Sequence, residues 1–182
     1  MAIKKLYIQV KTALLRLLIV SFKGRNAYAR FCGVTVGRNC RLLITRWGSE
    51  PFLITIGNQV TITAGTRLVT HDGSLELISD DAGRRFQYRR ISIGNNVFIG
   101  VNSIILPGVQ IGDNVIVGAG SVVTKSIPAG KIVGGNPARI IGEFDAYKSK
   151  ALAAFPAEQQ MLKDDYEKRV LHALDNSFKP SM

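Results

Sequence analysis

Cysteine and histidine, the residues that form disulfides and most structural metal sites, are scarce in this sequence. The 182 residues include two cysteines, Cys32 and Cys40, and two histidines. The cysteines form no CxxC pair, whereas disulfide-stabilised domains and structural zinc sites need several suitably spaced Cys or His residues. We therefore expect free thiols in a cytoplasmic protein and no metal site.

Long uninterrupted apolar runs are also missing. The N-terminal run over residues 6–22 is interrupted by Lys11 and Arg16, and no small-residue cleavage pattern follows it. A secretory signal needs that pattern, and a membrane-spanning helix needs about 20 predominantly apolar residues. Neither export nor membrane insertion is expected from this segment.

Acidic residues are few, with 13 Asp and Glu against 24 Lys and Arg and a formal net charge of +11. Such an excess suits nucleic acid, an anionic membrane surface or a phosphate-rich ligand. No zinc-finger, RRM or basic-zipper motif accompanies the charge, so we expect no nucleic-acid partner. The apolar fraction of 46% favours a folded domain over disorder.

An aliphatic residue recurs at every sixth position in the second half of the chain. The positions are Ile93, Ile99, Ile105, Ile111, Val117 and Val123. Glycine follows four of them, and the fifth position of each hexad is small or β-branched. An earlier block repeats the pattern at Ile56, Ile62 and Leu68, with a weaker start at Val36 and Leu42. Residues 72–92 lack the repeat, which predicts an inserted loop.

A period of six fits neither an amphipathic helix, whose apolar stripe recurs near 3.6 residues, nor an alternating strand of period two. It fits very short strands joined by regular turns and stacked as coils about 4.8 Å apart. Outside the repeat, residues 4–23 have the pattern of a partly amphipathic helix, and residues 151–174 are rich in helix-forming Ala, Leu, Lys and Glu.

The run IGNNVFIGVNSIILPGVQIGDNVIVGAGSVVTKSIPAGKIVGGNPARIIG resembles the C-terminal half of hexapeptide-repeat acetyltransferases, such as maltose, galactoside and capsule or O-antigen sugar O-acetyltransferases. The resemblance implies an all-β fold, a left-handed parallel β-helix with three hexapeptides per coil. We expect a β-helix acyltransferase domain over residues 34–142, with the loop insertion at 72–92. An N-terminal helical segment, 1–33, and a C-terminal helical extension, 143–182, flank it.

The same resemblance implies acetyl transfer from acetyl-CoA to a hydroxyl, which needs a general base. His71 lies at the mouth of the predicted loop, where the family places its catalytic histidine, whereas His172 falls in the predicted C-terminal helix. Asp72 either orients His71, binds the acceptor or shapes the loop. Arg84 and Arg85 in the loop bind an anionic acceptor or coenzyme phosphates, or they form a solvated face.

The resemblance also implies a donor site. The backbone amide of Val101 would stabilise the negative charge that develops on the thioester oxygen. The pantetheine arm of the coenzyme would pass Ala119, and its adenosine end would meet Thr124, Lys125 and Arg139. Arg139 closes an Asn-Pro-Ala-Arg stretch that matches the family's terminal motif.

The function predicted is an acetyl-CoA-dependent O-acetyltransferase acting on a sugar hydroxyl of a polysaccharide or its lipid-linked precursor. The alternatives are transfer to another small-molecule hydroxyl or amine, such as a serine-like or nucleotide-sugar acceptor, and a non-catalytic β-helix scaffold. An acyl carrier protein is the alternative donor. The β-helical carbonic anhydrases need three His ligands, more than this chain has.

Two expectations concern assembly. The resemblance implies a homotrimer in which each active site lies between adjacent prisms. The N-terminal helix either caps the open end of the β-helix or contacts the inner face of a membrane through its apolar and basic residues.

Overall fold

The computed structural model describes residues 2–175 and 177, with side chains from residue 13 onward. The chain divides into two compact units, Met1–Phe144 and Asp145–Met182. The predicted amphipathic pattern of residues 4–12 therefore falls outside the described side chains.

The described residues contain three α-helices and three short 3-10 helices. The α-helices are α1 (Ala2–Phe31), α2 (Phe144–Ala154) and α3 (Tyr166–His172), and the 3-10 helices are Pro51–Leu53, Gly73–Leu77 and Glu158–Gln160. Helix α1 lies within the predicted N-terminal helical segment 1–33 and continues past the amphipathic pattern of residues 4–23, with a kink at Gly24, where φ is 80°. Glycine adopts this angle at little steric cost, so the helix changes direction there and then continues.

Fifteen strands, most of them two or three residues long, make up the rest of the regular structure. They are β1 (Thr35–Val36), β2 (Arg41–Leu42), β3 (Ile54–Ile56), β4 (Thr61–Ile62), β5 (Arg67–Leu68), β6 (Ser79–Asp80), β7 (Gly83–Arg84), β8 (Ile91–Ile93), β9 (Val97–Ile99), β10 (Ile104–Ile105), β11 (Gln110–Ile111), β12 (Val115–Val117), β13 (Val122–Val123), β14 (Lys131–Gly134) and β15 (Arg139–Glu143).

Thirteen of these strands form three sheets, which we call faces A, B and C, and β6 and β7 form a separate two-stranded sheet. Face A has the order β1-β3-β8-β11, face C the order β5-β10-β13, and face B the order β2-β4-β9-β12-β14-β15. All pairings within these faces are parallel except that of β14 with β15, where the chain turns back. The chain visits A, B and C in turn, so each circuit is one coil of three hexapeptides.

Register confirms the repeat that the sequence predicts. Ile93 pairs with Ile111, eighteen residues later, and Ile105 pairs with Val123 at the same interval. These four side chains are 0–2% exposed, so the aliphatic positions stack into a continuous core along the axis. Burial of each such side chain contributes roughly 1.5–3 kcal/mol. The chain is therefore a parallel β-helix built from hexapeptide repeats.

The insertion is slightly shorter than predicted, because residues 91 and 92 already belong to β8. Within it, the 3-10 helix Gly73–Leu77 precedes a hairpin of β6 and β7. The hairpin is short, and its strand residues are exposed.

The first coil is incomplete. The chain has no strand on face C between β2 and β3, so β5 pairs with a strand only on its β10 side. The segment over residues 43–53, which has no strand and ends in the 3-10 helix Pro51–Leu53, fills this part of the coil. The consequence is a set of cavities on face C beside β5.

The end of α1 packs against the first coil. Tyr28 and Ala29 are buried in the core, and the Asn26 side-chain amide donates to the Cys40 carbonyl at 2.6 Å. Upstream, Leu17 is 62% and Phe22 is 82% exposed. Within the described part of the chain, no helix combines the length and apolarity that a membrane span requires.

The predicted helical stretch over residues 151–174, which Pro156 interrupts in the sequence, is divided between two helices. Helix α2 begins earlier, at Phe144, and ends at Ala154, two residues before Pro156. Proline disfavours helical geometry in the residue before it and removes a backbone donor, which explains the break. Helix α3 resumes at Tyr166, with the Asp165 carboxylate accepting from the Lys168 amide at its N-terminus.

Candidate active site

His71 stands where the chain leaves face C to enter the insertion. It forms an isolated antiparallel bridge with Tyr88, and the Arg89 amide donates to the Thr70 carbonyl at 2.8 Å. The outgoing and returning ends of the loop are thus held side by side. The His71 side chain is 42% exposed, so one part of the ring is anchored and another part is open to a ligand.

Glu50 anchors the ring. Its Oε2 atom lies 2.9 Å from His71 Nδ1 and accepts a hydrogen bond from the Thr70 hydroxyl at 2.6 Å. The Glu50 side chain is only 16% exposed. The hydrogen bond from Thr70, followed by the interactions with His71, holds the pKa of the Glu50 carboxyl below its usual value, although burial acts in the opposite direction.

This arrangement fixes the chemistry of the imidazole. A carboxylate only accepts hydrogen bonds, so the proton of a neutral His71 belongs on Nδ1 when it faces Glu50. Nε2 is then left as a hydrogen-bond acceptor, which is the state a general base needs. Sequence reasoning did not find Glu50, which lies in the irregular first coil and outside the hexad pattern.

Asp72 does not contact the His71 ring through a hydrogen bond. Its Oδ1 atom accepts from the Ser74 amide at 2.9 Å and from the Ser74 hydroxyl at 2.7 Å. These bonds from Ser74 lower the pKa of the Asp72 carboxyl. Asp72 thereby caps the 3-10 helix at the start of the loop.

The predicted loop arginines are engaged with acidic neighbours. Arg84 lies 3.8 Å from Glu76 and places its guanidinium 4.9 Å from the centre of the Phe86 ring. Arg85 pairs with Asp80. In this arrangement both side chains hold the loop together.

A cleft of about 400 Å³ brings together three of the predicted donor-site residues. Thr124, Lys125 and Arg139 line it, with Val123 and Ile140 among its apolar walls. Among the described residues, neither Lys125 nor Arg139 forms an ion pair. Two cations beside apolar walls suit a ligand that carries both phosphates and an aliphatic arm.

Val101 and Ala119 lie together at a different corner of the β-helix, where the chain passes from face B to face C. The Gly120 amide donates to the Val101 carbonyl at 2.8 Å, which stacks the two turns. Within the described part of the chain, the Val101 amide donates no hydrogen bond of its own. It is therefore available to an oxyanion.

The predicted residues thus occupy two corners of one chain. His71, Thr124 and Lys125 lie where face C passes to face A, with His71 two coils away from Lys125, or about 10 Å along the axis at the usual strand spacing. Val101 and Ala119 lie where face B passes to face C. A single β-helix does not bring the two groups into one pocket.

Cys32 and Cys40 are free thiols, and both are partly buried. The Cys40 thiol approaches the Gly57 carbonyl at 3.2 Å. In the described residues, no three His, Cys, Asp or Glu side chains gather in a way that would hold a metal ion.

Comparison with known proteins places these features in a family. A family model described as "Hexapeptide repeat of succinyl-transferase" matches residues 90–125. Protein CapG from Staphylococcus aureus is 55% identical over 126 residues, which cover 68% of this chain and 73% of that protein. The galactoside O-acetyltransferase of Escherichia coli (strain K12) is 37% identical over 122 residues, 67% of this chain and 53% of that protein. This chain therefore spans about half the length of the second relative.

A solved hexapeptide-repeat acetyltransferase from Vibrio cholerae, VCA0836, is similar in structure, with a TM-score of 0.57. Its identity is 26%, and the match covers 74% of this chain and 89% of that chain. The same protein complexed with acetyl coenzyme A matches at 32% identity and a TM-score of 0.48, over 62% and 61% of the two chains. The hexapeptide coils, the relationship to CapG and the 0.57 match to VCA0836 show that the chain belongs to the hexapeptide-repeat acetyltransferase family and is an acyltransferase.

Proposed function

We propose that the protein transfers the acetyl group of acetyl-CoA to a sugar hydroxyl, with His71 as the general base. The observation that carries this proposal is the His71–Glu50 pair at 2.9 Å, which orients Nε2 of a half-exposed imidazole as a proton acceptor. The named activity of the galactoside O-acetyltransferase supports a sugar as the acceptor. The acetyl-CoA complex of the Vibrio protein supports acetyl-CoA as the donor.

In the proposed reaction, His71 Nε2 takes the proton of the acceptor hydroxyl as its oxygen attacks the thioester carbonyl. Glu50 stabilises the imidazolium that forms. The Val101 amide donates to the developing oxyanion, which removes part of the barrier without reorganisation. When the tetrahedral intermediate collapses, the C–S bond breaks, the imidazolium returns the proton to the leaving thiolate, and the products are an acetyl ester and free CoA.

The donor would lie along the coils, with its phosphates at Lys125 and Arg139. The donor must be long enough to reach from this cleft to His71, because the two lie two coils apart on the same corner. Asp72, Arg84 and Arg85 remain proposed acceptor contacts. For the arginines, this role requires the loop ion pairs with Glu76 and Asp80 to open when the acceptor binds.

The finer architecture belongs to the same proposal. We infer left-handed coils over residues 34–142, flanked by the segments 1–33 and 143–182, and a homotrimer. The trimer would bring the corner with Val101 and Ala119 of one subunit to the corner with His71 of another, which supplies the contact that one chain lacks. The enzyme would act in the cytoplasm, with the exposed Leu17 and Phe22 of α1 offering a peripheral contact to the membrane.

The experiment that tests the function is release of free thiol from acetyl-CoA by the full chain, measured with a panel of sugars and of nucleotide- and lipid-linked sugars. Mass analysis of the acceptor should show the gain of one acetyl group. Thiol release without acceptor gain would mean hydrolysis, and no release with any acceptor would favour a non-catalytic scaffold.

A further inference from the structure

Three adjoining cavities open on face C where the first coil lacks a strand. Their volumes are about 230, 260 and 570 Å³. Arg46 and Arg67 line all three, and His71 lines the smallest. We call this region the arginine groove. It is separate from the cleft of Lys125 and Arg139, and nothing in the reaction described above uses its arginines.

The arginine side chains of the groove have no polar contacts with the rest of the described structure. Arg46 and Arg67 are exposed, as is Arg16 of α1, which lines the largest cavity. Within the part of the chain that the structure describes, none of the three makes an ion pair or a side-chain hydrogen bond. Arg84 and Arg85 in the loop, by contrast, each face a carboxylate. Guanidinium groups without partners in a concave site are suited to phosphate, which they bind in a bidentate manner.

Trp47 gives a second, independent indication of a ligand. Its indole lines the largest cavity and is only 3% exposed, yet Nε1 has no hydrogen-bond partner among the described residues. Buried N–H groups are almost always paired, and an indole N–H is solely a donor. The unpaired donor calls for an acceptor atom, which a phosphate oxygen in the cavity supplies once the side chains that cover Nε1 shift.

The N-terminal part of the sequence carries a strong excess of positive charge. The first acidic residue in the sequence is Glu50, and ten Lys and Arg residues precede it. The Glu50 carboxylate is itself occupied by Thr70 and His71. Two of those ten basic residues, Arg16 and Arg46, line the groove, and their charge attracts anions toward His71.

We propose that the arginine groove binds the diphosphate of an activated sugar, so that the acceptor is a sugar diphosphate ester and not a free sugar or a neutral glycan. This inference rests on the proposed function, because it takes His71 as the base. The sugar lies in the cavity at His71, and the diphosphate bridges Arg46 and Arg67. The Trp47 indole donates to one of its oxygens. Nucleotide-linked and lipid-linked sugars share this chemistry.

Calorimetric titration of the full chain with inorganic pyrophosphate tests the groove, with CoA saturating so that the donor cleft is filled. Arg46→Gln and Arg67→Gln should each weaken binding by about tenfold or more, the loss expected for a charge-assisted hydrogen bond. Trp47→Phe removes the N–H donor and keeps an aromatic side chain of smaller size, and it should also weaken binding. Arg41→Gln, an exposed arginine outside the groove, is the matched control.

Thermal unfolding of each variant checks that the fold is intact. Wild-type protein that does not bind pyrophosphate, binding that CoA abolishes, or equal affinity in Arg46→Gln, Arg67→Gln and Arg41→Gln would overturn the proposal. The proposed function fails separately, since it would be overturned by undiminished acetyl transfer in His71→Ala, whatever the pyrophosphate affinity.

Two competitors distinguish the sources of the diphosphate. UDP and farnesyl diphosphate should both displace pyrophosphate. Tighter binding of farnesyl diphosphate that Leu17→Ser or Phe22→Ser reduces would identify a lipid-linked acceptor lying along α1. Tighter binding of UDP that these changes leave unaltered would identify a nucleotide-linked one. Failure of both to compete would contradict a diphosphate site.

Discussion

Glu50 determines how the proposed base is held, and its ionisation links the site to stability. Because the folded protein lowers the pKa of this carboxyl, Glu50 stabilises the fold fully above the ordinary glutamate value of about 4.3. That contribution is lost as the pH falls through the lowered value. Urea unfolding from about pH 7 to pH 3 should show that Glu50→Gln is less stable than wild type at neutral pH, with the gap narrowing only in acid. A gap independent of pH would contradict this.

Arg139 is expected to contribute to donor affinity. Arg139→Ala should weaken CoA binding by about 1–3 kcal/mol, because a charge-assisted contact to phosphate is lost. Among the described residues, the only side-chain hydrogen bond of Arg139 is to the Ala138 carbonyl at 2.9 Å, so the fold depends little on it. Titration with CoA measures the effect, with Arg41→Ala as the control. Equal affinities would mean that Arg139 has no part in donor binding.

At this scale the sequence identifies some site residues and misses others. His71 is predictable because the repeat ends three residues before it and the resemblance assigns a histidine there. Glu50 and Trp47 are not predictable, because they lie in an irregular segment with no periodic pattern. Their proximity to residues about 20 positions later arises only when the second coil stacks on the first. The hydrogen bond from the Thr70 hydroxyl to the Glu50 carboxylate is likewise not predictable from the sequence.

The turns between strands explain why asparagine recurs in the hexads, which the aliphatic pattern alone does not. Asn39, Asn96 and Asn114 adopt φ between 53° and 56°, a left-handed conformation that asparagine tolerates better than most residues. Their neighbours Asn58 and Asn95 form a ladder, in which the Asn95 Oδ1 accepts from the Asn58 amide at 2.9 Å. The period of six predicts where the turns lie, whereas the side-chain ladder depends on coil stacking.

Glycine at the start of these turns is required by the neighbouring coil. A Cβ atom on Gly112 would lie 2.5 Å from the Ala129 amide nitrogen, whereas one on Gly73 would meet nothing within 4 Å. Gly112→Ala should therefore destabilise the protein by about 1–3 kcal/mol through overpacking, and Gly73→Ala should have little effect. Denaturant unfolding of both variants checks this. Equal stabilities would show that the coils separate at no cost.

For the whole molecule, the central expectation is assembly. The proposed site residues lie at two corners of the β-helix, one with His71 and one with Val101. In a trimer, the His71 corner of each subunit would meet the Val101 corner of a neighbour, which gives three complete sites. Light scattering at micromolar concentration should give about three times the chain mass of 19.9 kDa. A monomer mass in an active preparation would mean that each chain holds a complete site, and the role of Val101 would then be wrong.

The most direct test of the account is the turnover of His71→Ala with acetyl-CoA and an acceptor that the wild-type enzyme uses. Loss of the general base should lower kcat at least about 100-fold. The affinity for acetyl-CoA should stay close to wild type, because the donor cleft is two coils away. His172→Ala, an exposed histidine in α3, is the matched control and should keep its activity. Near-normal kcat in His71→Ala would contradict the mechanism.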